Sequence, residues 1–336
     1  MKRTMSKEYP IDFVVPWVDD SDPVWRAKKA KHTGVEMTEG NTDARYRDWD
    51  TLKYWFRGVE KFAPWVRHVY FITDDQKPEW LNAEHPKLKW VKHTDFIPAE
   101  YLPTFSSHTI EWNLHRLDDL TENFVYFNDD VFLIRKTKPE DFFKDGLPCD
   151  QPILGTLYPE GFFSYILFNN INLLNRHFSL KKSIREHTDK WISNQPLNEW
   201  VKLLWFGRRD LIPNSVSWHT HTPFCKKTFE ILWEKEYDLI HATCQNKQRT
   251  KDDISAYCVR DWQIFSGEFY PKRAPSKLFH TVTMSYSDEA INYLRKQKGK
   301  VICLNDTEDE KDFELHKKMI IAEFDRIFPE KSGFEL

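Results

Sequence analysis

Glycine is scarce, at 10 in 336 residues, and forms neither Gly-x-Gly-x-x-Gly nor Gly-x-x-x-x-Gly-Lys-Ser/Thr. Without those glycines the backbone cannot close around a phosphate. A nicotinamide dehydrogenase or P-loop kinase is therefore not expected, and any phosphate ligand is left to side chains and a metal. The five cysteines are odd in number, scattered and without a Cys-x-x-Cys pair. Neither a disulfide framework nor a structural zinc site is expected, and a reducing cytoplasm fits. Charge of one sign is missing too: 49 basic against 52 acidic residues, net −3, gives no electrostatic case for nucleic acid as a partner. No apolar run is long enough to span a bilayer, and the charged segment Met1–Pro10 is not followed by a signal-peptide core. The expected location is the cytoplasm, with at most peripheral contact at the inner face of the plasma membrane. Aromatic residues are plentiful (14 Trp, 13 Tyr, 25 Phe). Such rings stack on sugars, but their large apolar area makes most of them core.

The most informative stretch is Phe-Val-Tyr-Phe-Asn-Asp-Asp-Val-Phe-Leu-Ile, Phe124 to Ile134. An apolar run that stops at Asn128, Asp129 and Asp130 is the pattern of a buried strand delivering an amide and two carboxylates to a sheet edge. Oxygen ligands there suit Mg²⁺ or Mn²⁺. An Asn-Asp turn is the plainer alternative. Two other strands share the theme: Ile11–Val18 runs into Asp19–Asp22, and Val301–Leu304 into Asn305 and Asp306. Strands at Val69–Thr73, Lys87–His93 and Phe124–Phe127 alternate with helical patterns behind Asp48 and Asp50 and over Ser106–Arg116. The series predicts an α/β fold, a Rossmann-like mainly parallel sheet flanked by helices. After Pro152 the alternation fades. Residues 175–210 read as a helical insertion or lid, Lys311–Phe328 as a closing amphipathic helix, and the whole, 1–336, as a single catalytic domain.

Arg45, Arg47, Lys226, Lys227, Arg249 and Lys251 are candidate phosphate contacts, because guanidinium and ammonium groups pair with phosphate oxygens. His219 and His221 alternate in Ser-Trp-His-Thr-His-Thr-Pro and point the same way if extended. A metal pair, a general base and structural histidines all remain open for them.

Ile11–Pro23 resembles the first conserved block of the Stealth family of sugar-1-phosphate transferases. Arg45–Asp50, Ala63–Arg67, Pro78–Asn82, Leu102–Ser107 and Asn128–Asp130 resemble the second block. His221-Thr-Pro223 is similar to the third, Ile302–Asp306 to the fourth, and Phe328–Lys331 to the usual ending. Asp20 stands where glycine is frequent, and Pro16 where Thr or Tyr is common. The resemblance implies transfer of a sugar-1-phosphate from a UDP-sugar to the hydroxyl of an oligosaccharide or polysaccharide acceptor, including one still on a lipid carrier, with release of UMP. It implies a cation on Asp130, with Asp129, Asn305 and Asp306 around it. Arg249 is then expected on the transferred phosphate, His221 as proton acceptor or phosphate ligand, and Asp253 as the group that orients one of them. Trp17, Asp19, Asp22, Arg45, Arg47, Asn128 and Lys226 are the expected substrate contacts. A metal-dependent glycosyltransferase releasing UDP uses the same kind of edge, and a non-catalytic carbohydrate-binding protein would leave three acidic strand ends unexplained.

Overall fold

A computed structural model describes residues 9–34, 49–217, 219–273, 279–282, 287–306 and 312–336. Arg45, Arg47 and Asp48 lie outside the described residues. Strands β1 (Ile11–Pro16), β2 (Val69–Thr73), β3 (Leu88–Lys92) and β4 (Asn123–Tyr126) are joined by β5 (Val131–Leu133), β6 (Phe143–Lys144) and β7 (Leu147–Asp150). Farther on come β8 (Thr222–Cys225), β9 (Tyr270–Pro271), β10 (Phe279–Val282) and β11 (Val301–Asp306). The main sheet has the order β3-β2-β1-β4-β8, parallel except for the last pair. A second sheet, β10-β11-β5, and a third, β6-β7-β9, complete the layer.

The strands read as continuous apolar runs because both faces of the main sheet are covered. Phe13, Phe71, Val125 and Phe127 face one core with helices Leu52–Phe62 and Phe313–Ile327; Val14, Tyr70, Ile72, Phe124 and Tyr126 face the other, beneath helices Ser107–Trp112 and Gly161–His177. Chain order steps from β1 outward to β2 and β3, then returns to β4 on the other side of β1. That reversal opens a crevice between the carboxyl ends of β1 and β4, the place where open α/β sheets bind ligands.

β5 follows β4 after a turn in which Val131 N donates to Asn128 O (3.1 Å), and β11 reaches across so that Leu304 N donates to Asp130 O (2.8 Å). Helix Leu52–Phe62 lies against β5 so closely that a Cβ on Gly58 would stand 2.8 Å from the Leu133 carbonyl oxygen. Gly58→Ala is expected to cost about 1–3 kcal/mol by forcing that helix off the strand, read as a fall in urea midpoint; an unchanged midpoint would mean that the helix can shift freely. The segment Ser332–Leu336 is tied to the amino-terminal half: Asn82 N donates to Phe334 O (2.9 Å), Leu336 N to Trp80 O (2.8 Å), and Arg57 holds Glu335 through Nε and Nη2.

Three elements differ from the sequence expectation. β11 runs through Asp306, so Asn305 and Asp306 are part of the strand, held by pairing of Thr281 with Asn305 and Val282 with Asp306. Ser106–Arg116 is a helix, Ser107–Trp112, followed by a separate 3₁₀ turn, Leu114–Arg116. The 17-residue helix Gly161–His177 begins well before residue 175; its exposed Tyr165 and Phe168 blur the two-faced pattern that would have revealed it. Helices Leu180–Glu186, Thr188–Ile192 and Leu197–Phe206 follow it. No helix among the described residues is long and apolar enough to cross a membrane.

Candidate active site

The carboxyl ends of β1, β4 and β11 open onto a cleft of about 940 Å³. Trp17 from the end of β1, Asn128, Asp129 and Asp130 from the β4–β5 turn, and Asn305 and Asp306 from β11 line it. His219, Arg249, Ser107 and Tyr257 come from elsewhere in the chain to the same cleft. The turn expected as the plainer alternative is therefore the device that presents the carboxylates.

The amide nitrogen of Asn128 stands 3.0 Å from His219 Nε2, and the phenol of Tyr257 stands 2.9 Å from Nδ1. With Asn128 donating, the neutral ring accepts at Nε2 and donates from Nδ1 to Tyr257. Asp130 Oδ2 lies 3.7 Å from Nε2. Burial disfavours the imidazolium, but the Asp130 carboxylate more than offsets it, and the His219 pKa is raised.

Asp130 Oδ1 is buried without a hydrogen-bond partner among the described residues, the kind of orphaned oxygen that a cation satisfies. Asp130, His219 and Cys303 bring an oxygen, a nitrogen and a sulfur within 4.8 Å of one another. With Asp129, Asn305 and Asp306 on the same wall, the oxygen donors fit a divalent cation such as Mg²⁺ or Mn²⁺. Burial, with the Asp130 charge beside it, pushes the Cys303 thiol well above its usual range. Trp49 Nε1 donates to Asp306 Oδ2 (3.2 Å).

Arg249 donates from an Nη to Ser107 Oγ (2.5 Å). Asp253, fully buried, touches neither Arg249 nor a cleft histidine through its carboxylate. It accepts from Thr250 N (3.0 Å), Thr250 Oγ1 (2.7 Å) and Asn246 Nδ2 (2.8 Å) and pairs with His108 Nδ1 (3.1 Å). Asp253 thus fixes the residue after Arg249 to the residue after Ser107, and orients the guanidinium through the backbone. Burial alone would raise its pKa, yet His108 and the Thr250 donors hold it below the usual value. A depressed carboxylate stabilises the fold above its unfolded pKa of about 3.9 and loses that contribution as pH falls through the lower folded value. Asp253→Asn is accordingly expected to lose about 1–3 kcal/mol at pH 7, the scale for buried donors left unpaired, with the difference from wild type shrinking as pH falls below about 3.9, measured by urea denaturation across that range; a loss independent of pH would deny the ionised carboxylate this role.

Several expected site residues lie elsewhere. His221 is outside the cleft: residues 219–220 bend before β8 starts at Thr222, so the two histidines diverge instead of alternating. Its ring packs on Phe127 (centroids 5.7 Å) and Phe142 (4.9 Å), and burial lowers its pKa to about 4. Lys226 follows β8, which runs antiparallel to β4, so it sits at the far, amino-terminal end of the main sheet beside Glu122. Asp19 and Asp22 build the β1 loop: Asp19 Oδ1 accepts from Ser21 N (2.8 Å), Asp22 caps helix Pro23–Thr33 through Val24 N (2.8 Å), and Gln76 binds both. The Gln76 and cap hydrogen bonds lower the Asp22 pKa. Trp49 and Ser107, which lie in segments resembling the second block, were not singled out as cleft residues, and Tyr257 joined the cleft with no local signal. For Cys303 the signal was its place two residues before Asn305 on a strand already suspected.

An acidic sheet edge under a histidine and an arginine, at the switch point of a mostly parallel α/β sheet, is the arrangement of a ligand-binding α/β protein. Residues 9–32 match Stealth protein CR1, conserved region 1, and residues 45–149 match Stealth protein CR2, conserved region 2. The chain is 41% identical over 333 residues to the capsular polysaccharide phosphotransferase WcwK of Streptococcus pneumoniae, covering 97% of this chain and 98% of the relative. It is 38% identical over 335 residues to the receptor polysaccharide phosphotransferase WefC of Streptococcus gordonii (97% and 99%). Identity to the exopolysaccharide phosphotransferase cps2G of Lactiplantibacillus plantarum is 35% over 337 residues (98% and 97%). The chain belongs to the Stealth family.

Proposed function

We propose that this chain is a capsular or exopolysaccharide phosphotransferase that moves a hexose-1-phosphate, such as N-acetylglucosamine-1-phosphate, from a UDP-sugar to a glycan hydroxyl and releases UMP. The observation that carries it is the meeting of Asp130, His219 and Arg249 on one cleft at the β1–β4 switch. The volume accommodates a nucleotide-sugar, and the near-full-length relatives bear phosphotransferase names.

The acceptor oxygen forms a bond to the β-phosphorus, the bond from that phosphorus to the UMP oxygen breaks, and the acceptor proton goes to His219 Nε2 as the Asn128 amide releases that nitrogen's lone pair. Once protonated, that nitrogen faces the Asp130 carboxylate, which stabilises the imidazolium. Arg249, held at Ser107, takes charge on the equatorial phosphate oxygens. Trp17 offers a ring face to the donor. Asp130, Asp129, Asn305 and Asp306 would hold a divalent cation, Mg²⁺ or Mn²⁺, which would supply neutralisation of the diphosphate and of leaving UMP.

The test is incubation with UDP-sugars, cation and short capsule-type oligosaccharides, with the released nucleotide identified by mass spectrometry. UMP and an acceptor heavier by sugar plus phosphate are expected. UDP with a gain of sugar alone would make the protein a glycosyltransferase. Calorimetric Mn²⁺ binding that is lost in Asp130→Asn reports the cation site without turnover.

A further inference from the structure

Helix Leu197–Phe206 has an apolar sequence and no buried residue. Leu203 and Phe206 rest partly buried against the core, together with Ile184. On the other side Leu197, Val201, Leu204 and Trp205 are 81, 61, 64 and 68% exposed. Their spacing, i, i+4, i+7 and i+8, puts them on one stripe, and Leu211 extends the exposed apolar surface beyond the helix.

Cations predominate at the base of the stripe. Arg208 and Arg209 follow the helix and are exposed, beside the exposed Asp210. Leu180 N donates to Asp210 O (2.7 Å) and Ser179 Oγ to Asp210 Oδ1 (3.0 Å), which brings helix Leu180–Glu186 alongside with its exposed Lys181 and Arg185. Folding leaves four large apolar side chains in water where the opposite face of the same helix shows that packing was available. A protruding Leu/Trp stripe rimmed by Lys and Arg matches an anionic lipid surface, into which the apolar residues sink while the cations stay at the headgroups. A second copy of the chain fits less well, because two-fold pairing would bring basic rim against basic rim.

We infer that the exposed stripe of helix Leu197–Phe206, with its basic rim, docks this protein on an anionic membrane surface. The docking is separate from the reaction chemistry and is read without turnover, so its failure and that of the proposed transfer are distinguishable. Full-length protein is mixed with phosphatidylglycerol-containing vesicles and with pure phosphatidylcholine vesicles and sedimented. Binding to the anionic vesicles that falls with added salt is expected. Leu204→Asn/Trp205→Asn and Arg208→Glu/Arg209→Glu should each lower partitioning by roughly tenfold or more, with unchanged circular dichroism and turnover on a soluble acceptor. Wild-type protein that stays in the supernatant, or variants that partition like wild type, would overturn the proposal. So would a concentration-dependent dimer in analytical ultracentrifugation that Leu204→Asn/Trp205→Asn dissolves, since the stripe would then be covered by another copy.

Discussion

Turnover of the His219→Ala enzyme is expected to fall by roughly 10²- to 10⁴-fold, the range for loss of a positioned general base, with donor binding largely kept. His221→Phe should retain more than about a third of wild-type activity, because ring packing on Phe127 and Phe142 is what that residue contributes. The pH dependence separates the two further. The Asp130 carboxylate by itself raises the His219 pKa, whereas a cation on that carboxylate opposes the shift, and the neutral, proton-accepting ring is lost on acidification at a pH set by the two together. An acid limb of kcat/KM should therefore be present in wild type and in His221→Phe, and vanish in the residual activity of His219→Ala. His221, lowered to about 4, is neutral throughout this range. A severe loss in His221→Phe with near-normal His219→Ala would return the role to the His-Thr-Pro segment and require the bend at residues 219–220 to rearrange.

Arg249→Ala is expected to lose about 10²- to 10³-fold in kcat, the scale for removal of one charge-stabilising donor from a preorganised site. Arg249→Lys should recover little of this. A lysine ammonium is a point charge and cannot hold Ser107 Oγ and span two phosphate oxygens as a planar guanidinium does. Single-turnover rates and donor affinity by calorimetry locate the effect: a fall in rate with donor affinity changed less than about tenfold places Arg249 on the transition state, whereas a loss confined to affinity would make it a ground-state contact.

The cleft was legible where chemistry and strand pattern coincided. Asn128–Asp130 was visible because an apolar run ended in it, and Asn305–Asp306 because a second run did the same. The parallel sheet followed from apolar strands separated by crossovers. What failed was whatever depended on direction or distance. The alternation of His219 and His221 promised a common face, but a single bend removed the premise. Lys226 looked available to phosphate until β8 ran antiparallel and carried it to the opposite end of the sheet. Asp19 and Asp22 were correctly suspected as loop residues, yet their oxygens serve a cap and a turn. Asp253 was tied to Arg249 as expected, but by backbone and neighbour instead of side-chain contact. Tyr257 and Ser107 are distant in sequence from what they touch, and only tertiary packing brings them there.

The hydrogen bond from Leu304 N to Asp130 O bears on when the protein can work. Asp130 and its strand partner are made far apart in time: at roughly 5–20 residues per second, the ribosome supplies β11 on the order of ten seconds or more after the β4–β5 turn. In that interval β5 has an unpaired edge and the acidic turn has no second wall, so the growing chain offers an open strand to neighbours and no assembled cleft to a ligand. Activity then arrives late in synthesis, when β11 closes against β5 and Ser332–Leu336 clasps Trp80–Asn82, and a chain cut before residue 300 should be an aggregation-prone product without a site.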